Sequence, residues 1–271
     1  MAATTTTPKP ATIVLIHGAW NYPAHYTPLL SSLGAHGHEV LAPRLPTMNG
    51  TRPPNANFTT DSDHTHSYIE SLADTGRWII VLMHSYGGQV GANALGDLDI
   101  GSRRERGSTG GVVRLVYMAT LALEVGDSMY GLTKRAGRAK NLLAAQEINE
   151  DGTSTYWNAR ERMLGAGGGR DVDYVKTLGT WNAQAMYGVL QHCAWRDSPV
   201  SYIKALRDQV MPAPYQTRMI VGMRAAGREV ELVELDTGHS KHVTMTREVV
   251  EIVCGILGAL DRVDTICLYL R

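Results

Sequence analysis

The chain has 271 residues, room for one large domain or two small ones, and a 44% hydrophobic, 19% charged balance is ordinary for a globular protein. The 26 Lys plus Arg offset 26 Asp plus Glu, so the formal net charge is zero. That argues against a dedicated nucleic-acid or membrane-surface binder, which usually carries a basic excess.

Residues 1–11 read as a flexible N-terminal tail of small polar residues and prolines. Thr12 to Ile16 is a continuous, β-branched apolar run, as a strand buried on both faces requires, and it stops at His17-Gly18. Residues 24–36 read as a helix with Tyr26, Leu29, Leu30 and Leu33 on one face, ended by Gly37. Glu39 to Ala42 is a second strand, and the proline-rich residues 43–58 form a loop. A helix is predicted over 61–75, its first turn acidic through Asp61 and Asp63. Trp78 to Met83 is a third strand, followed by a small-residue helix from Gly87 to Leu95. Residues 101–111 read as a charged loop, and Val112 to Met118 as a fourth strand.

Strands alternating with helices give βαβ units and a parallel sheet. The alternation breaks near residue 124, where helical stretches and a flexible Gly165–Gly169 segment follow. It resumes with strands at 200–204 and 230–234 and an apolar helix near 246–260. The expected organisation is an α/β core over 12–124 and 199–260, a helical cap over 125–198 and a C-terminal tail over 261–271. Ile266 to Leu270 within that tail reads as a short strand, a dimer contact or an unstructured end. A cap inserted there covers the C-terminal edge of the sheet, where open α/β sheets bind ligands.

The strongest local signal is Met83-His84-Ser85-Tyr86-Gly87-Gly88, placed where a strand ends and a helix begins. That is the context of a nucleophile elbow, Gly-x-Ser-x-Gly, which lifts a serine hydroxyl above the sheet. Met83 replaces the first glycine, a crowding that a small neighbour would relieve. His17-Gly18-Ala19-Trp20 follows the first strand, so the N–H groups of Ala19 and Tyr86 are candidates for an oxyanion hole. His239, in Asp236-Thr-Gly-His, follows the last strand and is the candidate base, with His242 its local rival. Asp208 precedes His239 by 31 residues and is the candidate acid, with Asp127 the alternative; Asp197 and Asp236 read as structural.

Together these segments resemble the α/β-hydrolase superfamily, closest to its small esterase and hydroxynitrile-lyase-like branch with fungal-type relatives. The resemblance rests on Val14 to Trp20, His84 to Gly88, Tyr117 to Thr120 with Glu124-x-Gly-x-Ser128, the Asp208–Pro212 loop and Asp236 to His239. It spans the core from 12 to about 258 and matches the cap only in outline. It implies a mainly parallel sheet with helices on both faces, a Ser85–His239–Asp208 triad with Ala19 and Tyr86 as oxyanion donors, and tolerance of a bulky residue at Met83. It also implies a departure: cyanohydrin-cleaving relatives carry Thr where Gly18 stands and Lys directly after the histidine, where this chain has Ser240 and then Lys241.

Other clusters read as structure. Asp61, Asp63, His64 and His66 are an acidic helix start with exposed histidines rather than a metal site, so no metal is expected. The glycines near 165–169 lack the Gly-Lys-Ser/Thr of a phosphate loop. Arg103 to Arg106 is a solvated loop. Trp20, His192 and Trp195 are the candidate substrate-pocket residues, and Met129, Tyr130, Trp157, Met163, Trp181, Met186 and Tyr187 either pack the cap or line a pocket. Three cysteines, Cys193, Cys254 and Cys267, make neither a disulfide framework nor a Cys-x-x-Cys motif. The first residues lack a signal-peptide pattern, and no apolar run approaches the ~20 residues that span a bilayer. A cytoplasmic location with reduced thiols is expected, and the sequons at Asn49 and Asn57 then carry no meaning.

The expected function is cofactor-independent hydrolysis of a small to mid-sized apolar ester or lactone, with a small molecule as the partner, no nucleic acid and no membrane, and a homodimer left open. One alternative is C–C cleavage or cyclisation of a polyketide-like metabolite in the same site, a role in secondary metabolism that Lys241 and the His-rich composition motivate. Another is a ligand receptor on the same fold.

Overall fold

The computed structural model describes residues 11–165 and 172–269. Residues 1–10 of the expected tail and 166–169 of the glycine-rich segment lie outside the described residues.

Strands β1 (Thr12–Ile16), β2 (Val40–Leu41), β3 (Trp78–His84) and β4 (Gly111–Met118) form the first part of the core sheet. After the cap strands β5 (Gln146–Ile148), β6 (Thr153–Tyr156) and β7 (Trp181–Asn182), strands β8 (Val200–Ala205) and β9 (Val230–Leu235) complete it. The six core strands run parallel in the order β2-β1-β3-β4-β8-β9.

Period-two side-chain alternation sorts each strand between two apolar layers. Ile13, Leu15, Ile80 and Leu82 join Leu29 and Leu33 of α1 (Thr27–Ala35) and Val249 and Val253 further along the chain. Val14, Ile16, Val81 and Met83 join the opposite layer with Phe58 and Ile69 of α2 (Phe58–Asp74) and Val90 of α3 (Tyr86–Ala94). Asn57 caps α2 by accepting the Thr60 N–H at 3.0 Å. The chain leaves β1 for β2 on one side and returns to β3 on the other. The carboxyl ends of β1 and β3 therefore flank a topological switch point, where such sheets open a crevice.

Three expectations change. Residues 101–111 are not all loop, because α4 (Ile100–Glu105) forms there, capped by Asp99 accepting the Ser102 N–H at 2.9 Å. The cap is not purely helical. Helices α5 (Met129–Arg135) and α6 (Ala139–Ala144) lead into an antiparallel sheet of order β5-β6-β7, and α7 (Val172–Lys176) lies between its last two strands. Its strands have two to four residues, too few to show an alternation in sequence, while the turn at Asp151-Gly152 (φ 86° at the glycine) reverses the chain. Finally, α8 (Ala213–Ala225), α9 (Lys241–Thr244) and α10 (Thr246–Tyr269) close the fold, so the helical backbone continues through most of the expected tail. No proline follows Thr246 to break it. Among the described residues no helix is long and apolar enough to cross a membrane.

The bulky Met83 is accommodated by a glycine one helical turn into α3. A Cβ on Gly91 would lie 2.4 Å from the Met83 sulfur. Gly91→Ala is expected to cost about 1–3 kcal/mol by overpacking. The same substitution in a Met83→Gly background should cost clearly less, and a double-mutant cycle in urea would measure the coupling. Equal costs in both backgrounds would sink this account.

Candidate active site

Ser85 occupies the single residue between β3 and α3, with φ 54° and ψ −121°. Such a backbone is rare for a residue with a side chain and stores strain. The neighbours of the β1 and β4 ends share it: Trp20 has φ 60° and Ala119 φ 46°. Close packing holds the turn. A Cβ on Gly87 would lie 2.2 Å from the Ile16 carbonyl oxygen, and one on Gly88 would lie 2.1 Å from Thr120 Oγ1. Both positions therefore admit only glycine, and the N-terminus of α3 rests directly on the ends of β1 and β4. The Thr120 hydroxyl donates to the Ser85 carbonyl. A Cβ on Gly18 would come within 3.0 Å of the Ser85 Cβ, so the loop after β1 meets the serine closely. Neither the Ala19 nor the Tyr86 N–H donates to a carbonyl in the turns described there. Tyr86 is the first residue of α3, so its N–H lies at a helix N-terminus, where negative charge is favoured.

His239 Nδ1 donates to Asp208 Oδ2 at 2.8 Å, with both side chains buried. The other carboxylate oxygen accepts the N–H groups of Val210 and Met211, at 2.8 and 2.7 Å. Two backbone donors thus hold the carboxylate while it orients the imidazole, leaving Nε2 with its lone pair. Asp127 is elsewhere: it pairs with Arg135 and accepts the Ser128 N–H. His242 is also buried, stacked on Tyr26 at 4.1 Å between centroids, with no hydrogen-bond partner for either ring nitrogen. Burial holds its imidazole well below the ordinary range.

A buried hydrogen-bond chain ties the three loops together. The His239 carbonyl can only accept, so His84 donates to it through Nε2 at 3.2 Å. His84 Nδ1 must then accept, and takes the Tyr26 hydroxyl at 2.7 Å. That hydroxyl accepts the Gly18 N–H at 3.1 Å. Burial, with His242 and His239 close by, keeps His84 uncharged. No sequence signal marks this strut, because Tyr26 reads as one more apolar face residue of its helix.

Ser85 opens into a cleft beneath the cap. Trp20 lines it with Leu121, Met129, Leu132, Tyr156 and Met211. The Trp20 ring packs on Tyr156 and Trp181, at 4.7 and 5.0 Å between centroids. His192 and Trp195 do not line the cleft. The backbone N–H of His192 donates to Asn93, and its ring covers Gly96, where a Cβ would meet Cγ at 2.8 Å. Trp195 is buried, its indole N–H donating to the Leu123 carbonyl at 2.9 Å. The cap's return packs them at the far end of α3 rather than in the opening. Of the cleft residues that sequence reasoning missed, Arg138 and Arg162 come from short cap segments whose packing has no readable period, and Tyr215 comes from the first turn of α8.

Asp61 lies in the first turn of α2, where the sequence places it. It is wholly buried, and accepts the Thr47 N–H and hydroxyl and the Tyr86 hydroxyl, at 2.8, 2.6 and 2.8 Å. Burial pushes its carboxyl up to about 6, against the pull of these donors. It anchors the 43–58 loop to the residue after the serine. Among the described residues no group of three or more His, Cys, Asp or Glu is arranged to hold a metal.

Lys241 does not reach the cleft. It is buried beneath the site and donates to the Ile203 carbonyl at 2.9 Å, which removes the residue that motivated the lyase alternative. Burial pulls its ammonium down to about 7, opposed by the Asp208 carboxylate. The unfolded chain then binds more protons between about pH 7 and the ordinary lysine value, so this residue's contribution to stability rises with pH across that window. Lys241→Met is expected to raise Tm, most at or below about pH 7, with the gain shrinking toward pH 10. The Ile203 carbonyl keeps the Ala119 N–H at 3.1 Å in the variant. Melting curves across this pH range check the sign, and a gain that grew with pH would contradict it.

A family model described as the alpha/beta hydrolase family matches residues 13–252. The chain is 27% identical over 254 residues to "Probable hydrolase R7" of Phoma sp., covering 91% of this chain and 98% of the relative. It is 26% identical over 255 residues to "Alpha/beta hydrolase nvfD" of Aspergillus novofumigatus, covering 92% and 97%. Among solved structures, a pyrethroid hydrolase from Sphingobium faniae superimposes with a TM-score of 0.71 at 20% identity, covering 92% of this chain and 98% of that one. With the family model spanning the whole core sheet, this chain belongs to the alpha/beta hydrolase family.

Proposed function

We propose that this hydrolase cleaves a small to mid-sized, largely apolar carboxylic ester or lactone through an acyl-enzyme on Ser85. The observation that carries this reading is Ser85 at a strained elbow, open to an apolar cleft and joined through His84 to the Asp208-bound His239. His239 Nε2 takes the Ser85 proton as Oγ attacks the acyl carbon. The Ala19 and Tyr86 N–H groups receive the negative charge that develops on the carbonyl oxygen. His239 returns the proton to the leaving alcohol, then activates a water that releases the acid and frees Ser85. Asp208 keeps the imidazole in the required tautomer throughout. This chemistry needs no cofactor. The two fungal relatives named as hydrolases over nearly their full length support the reaction class.

The test is the intact-protein mass after treatment with a fluorophosphonate, for the wild type and for Ser85→Ala. One stoichiometric adduct, absent in the variant, is the expected result. A folded wild type that takes no adduct would refute the proposal and favour a receptor.

A further inference from the structure

We infer that the substrate carries a free carboxylate in addition to its ester, held by Arg138 and Arg162 on the cap side of the cleft. The inference rests on the ester-hydrolase reading and narrows its substrate class to half-esters.

The cleft is mainly apolar, yet two guanidinium groups are half-buried in its wall. A cation placed against apolar surface is costly unless something compensates it. Elsewhere the protein provides that compensation: Arg52, Arg77, Arg103, Arg114 and Arg135 each meet a carboxylate. Arg138 instead lies over the Tyr215 ring at 5.7 Å, and Arg162 stands beside the Tyr156 hydroxyl. Among the described residues neither has a carboxylate within ion-pair distance. Both also line the adjoining polar depression, together with Asn141 and Gln209. Two acids border that depression and neither is available. Asp208 spends one oxygen on two backbone amides and the other on His239. Glu161 is exposed and closes no ion pair with either arginine.

The arrangement is two planar forks, with neutral amide donors beside them, in the wall of the same mainly apolar cleft that Ser85 lines. Carboxylate is the anion such forks match in a bidentate way. An acyl chain lying along Leu121, Leu132 and Leu142 would carry its ester carbonyl to Ser85 and its far carboxylate to the arginines. Hydrolysis then converts a half-ester and water into a diacid and an alcohol.

The test compares 4-nitrophenyl half-esters of the diacids from succinate to sebacate with neutral 4-nitrophenyl esters of equal chain length. At one chain length the half-ester should exceed its neutral counterpart in kcat/KM by roughly tenfold or more, mostly through KM. That ratio should fall to about one or below in Arg138→Gln/Arg162→Gln, and Arg162→Lys should lie between. Monomethyl half-esters should likewise protect Ser85 from the fluorophosphonate better than neutral methyl esters, a readout that needs no turnover. Labelling of the variants checks that the site is still assembled. A ratio near one in the wild type at every length, or a preference that survives the double substitution, overturns the inference while leaving the hydrolase intact. Absence of both labelling and turnover would instead overturn the hydrolase reading itself.

Discussion

Replacing Ser85 with alanine is expected to lower kcat on any accepted ester by roughly a hundred-thousand-fold to a million-fold, with little change in KM. The substitution removes the atom that forms the covalent bond and keeps the Ser85 carbonyl that Thr120 holds. Stability adds a second, opposite reading. At φ 54° and ψ −121° the backbone suits glycine, and alanine relieves none of the strain. Ser85→Gly should therefore be as inactive as Ser85→Ala yet more stable by about 1–3 kcal/mol. Stopped assays and urea melts on the two variants separate chemistry from strain. An alanine variant with near-normal turnover would end the acyl-enzyme mechanism.

Asp208→Asn is expected to reduce kcat by roughly a thousand- to ten-thousand-fold. The asparagine oxygen can still accept the Val210 and Met211 N–H groups, so the loop should keep its shape. Its amide, however, donates where the carboxylate accepted. His239 must then present an unprotonated Nδ1 to it and a protonated Nε2 to Ser85, the wrong tautomer for a base. Asp127→Asn touches only the Arg135 pair and a turn, away from His239, and should change kcat by less than about threefold. Comparable losses in the two variants would mean that the acid has been misassigned.

The core was legible for a specific reason. β1, β3 and β4 are buried on both faces, so they read as unbroken apolar runs that end abruptly beside the candidate site residues. The strand-to-helix step at Ser85 and the position of His239 after the last strand could be placed from such edges alone. The cap was poorly legible because its strands are two to four residues long and its helices five to seven, below the length at which a period declares itself. His192 and Trp195 were misplaced for that reason, and Arg138 and Arg162 went unnoticed. Lys241 looked like a functional neighbour of His239 because it is two positions away, but the short helix α9 turns it inward to the Ile203 carbonyl.

By itself the sequence determined the order of the core elements, the elbow at Ser85 and the candidates Asp208 and His239, since these follow from local chemistry and from periodicity along one strand or helix. Only the tertiary structure decided between Asp208 and Asp127 as the partner of His239, because a hydrogen bond across 31 residues depends on how two loops leave the sheet. It alone revealed that Gly91 makes room for Met83, that Tyr26 and His84 brace three loops, and that two arginines face an apolar cleft. Each of these is a contact between segments distant in the chain, set by packing across the sheet edge rather than by any residue's own preference.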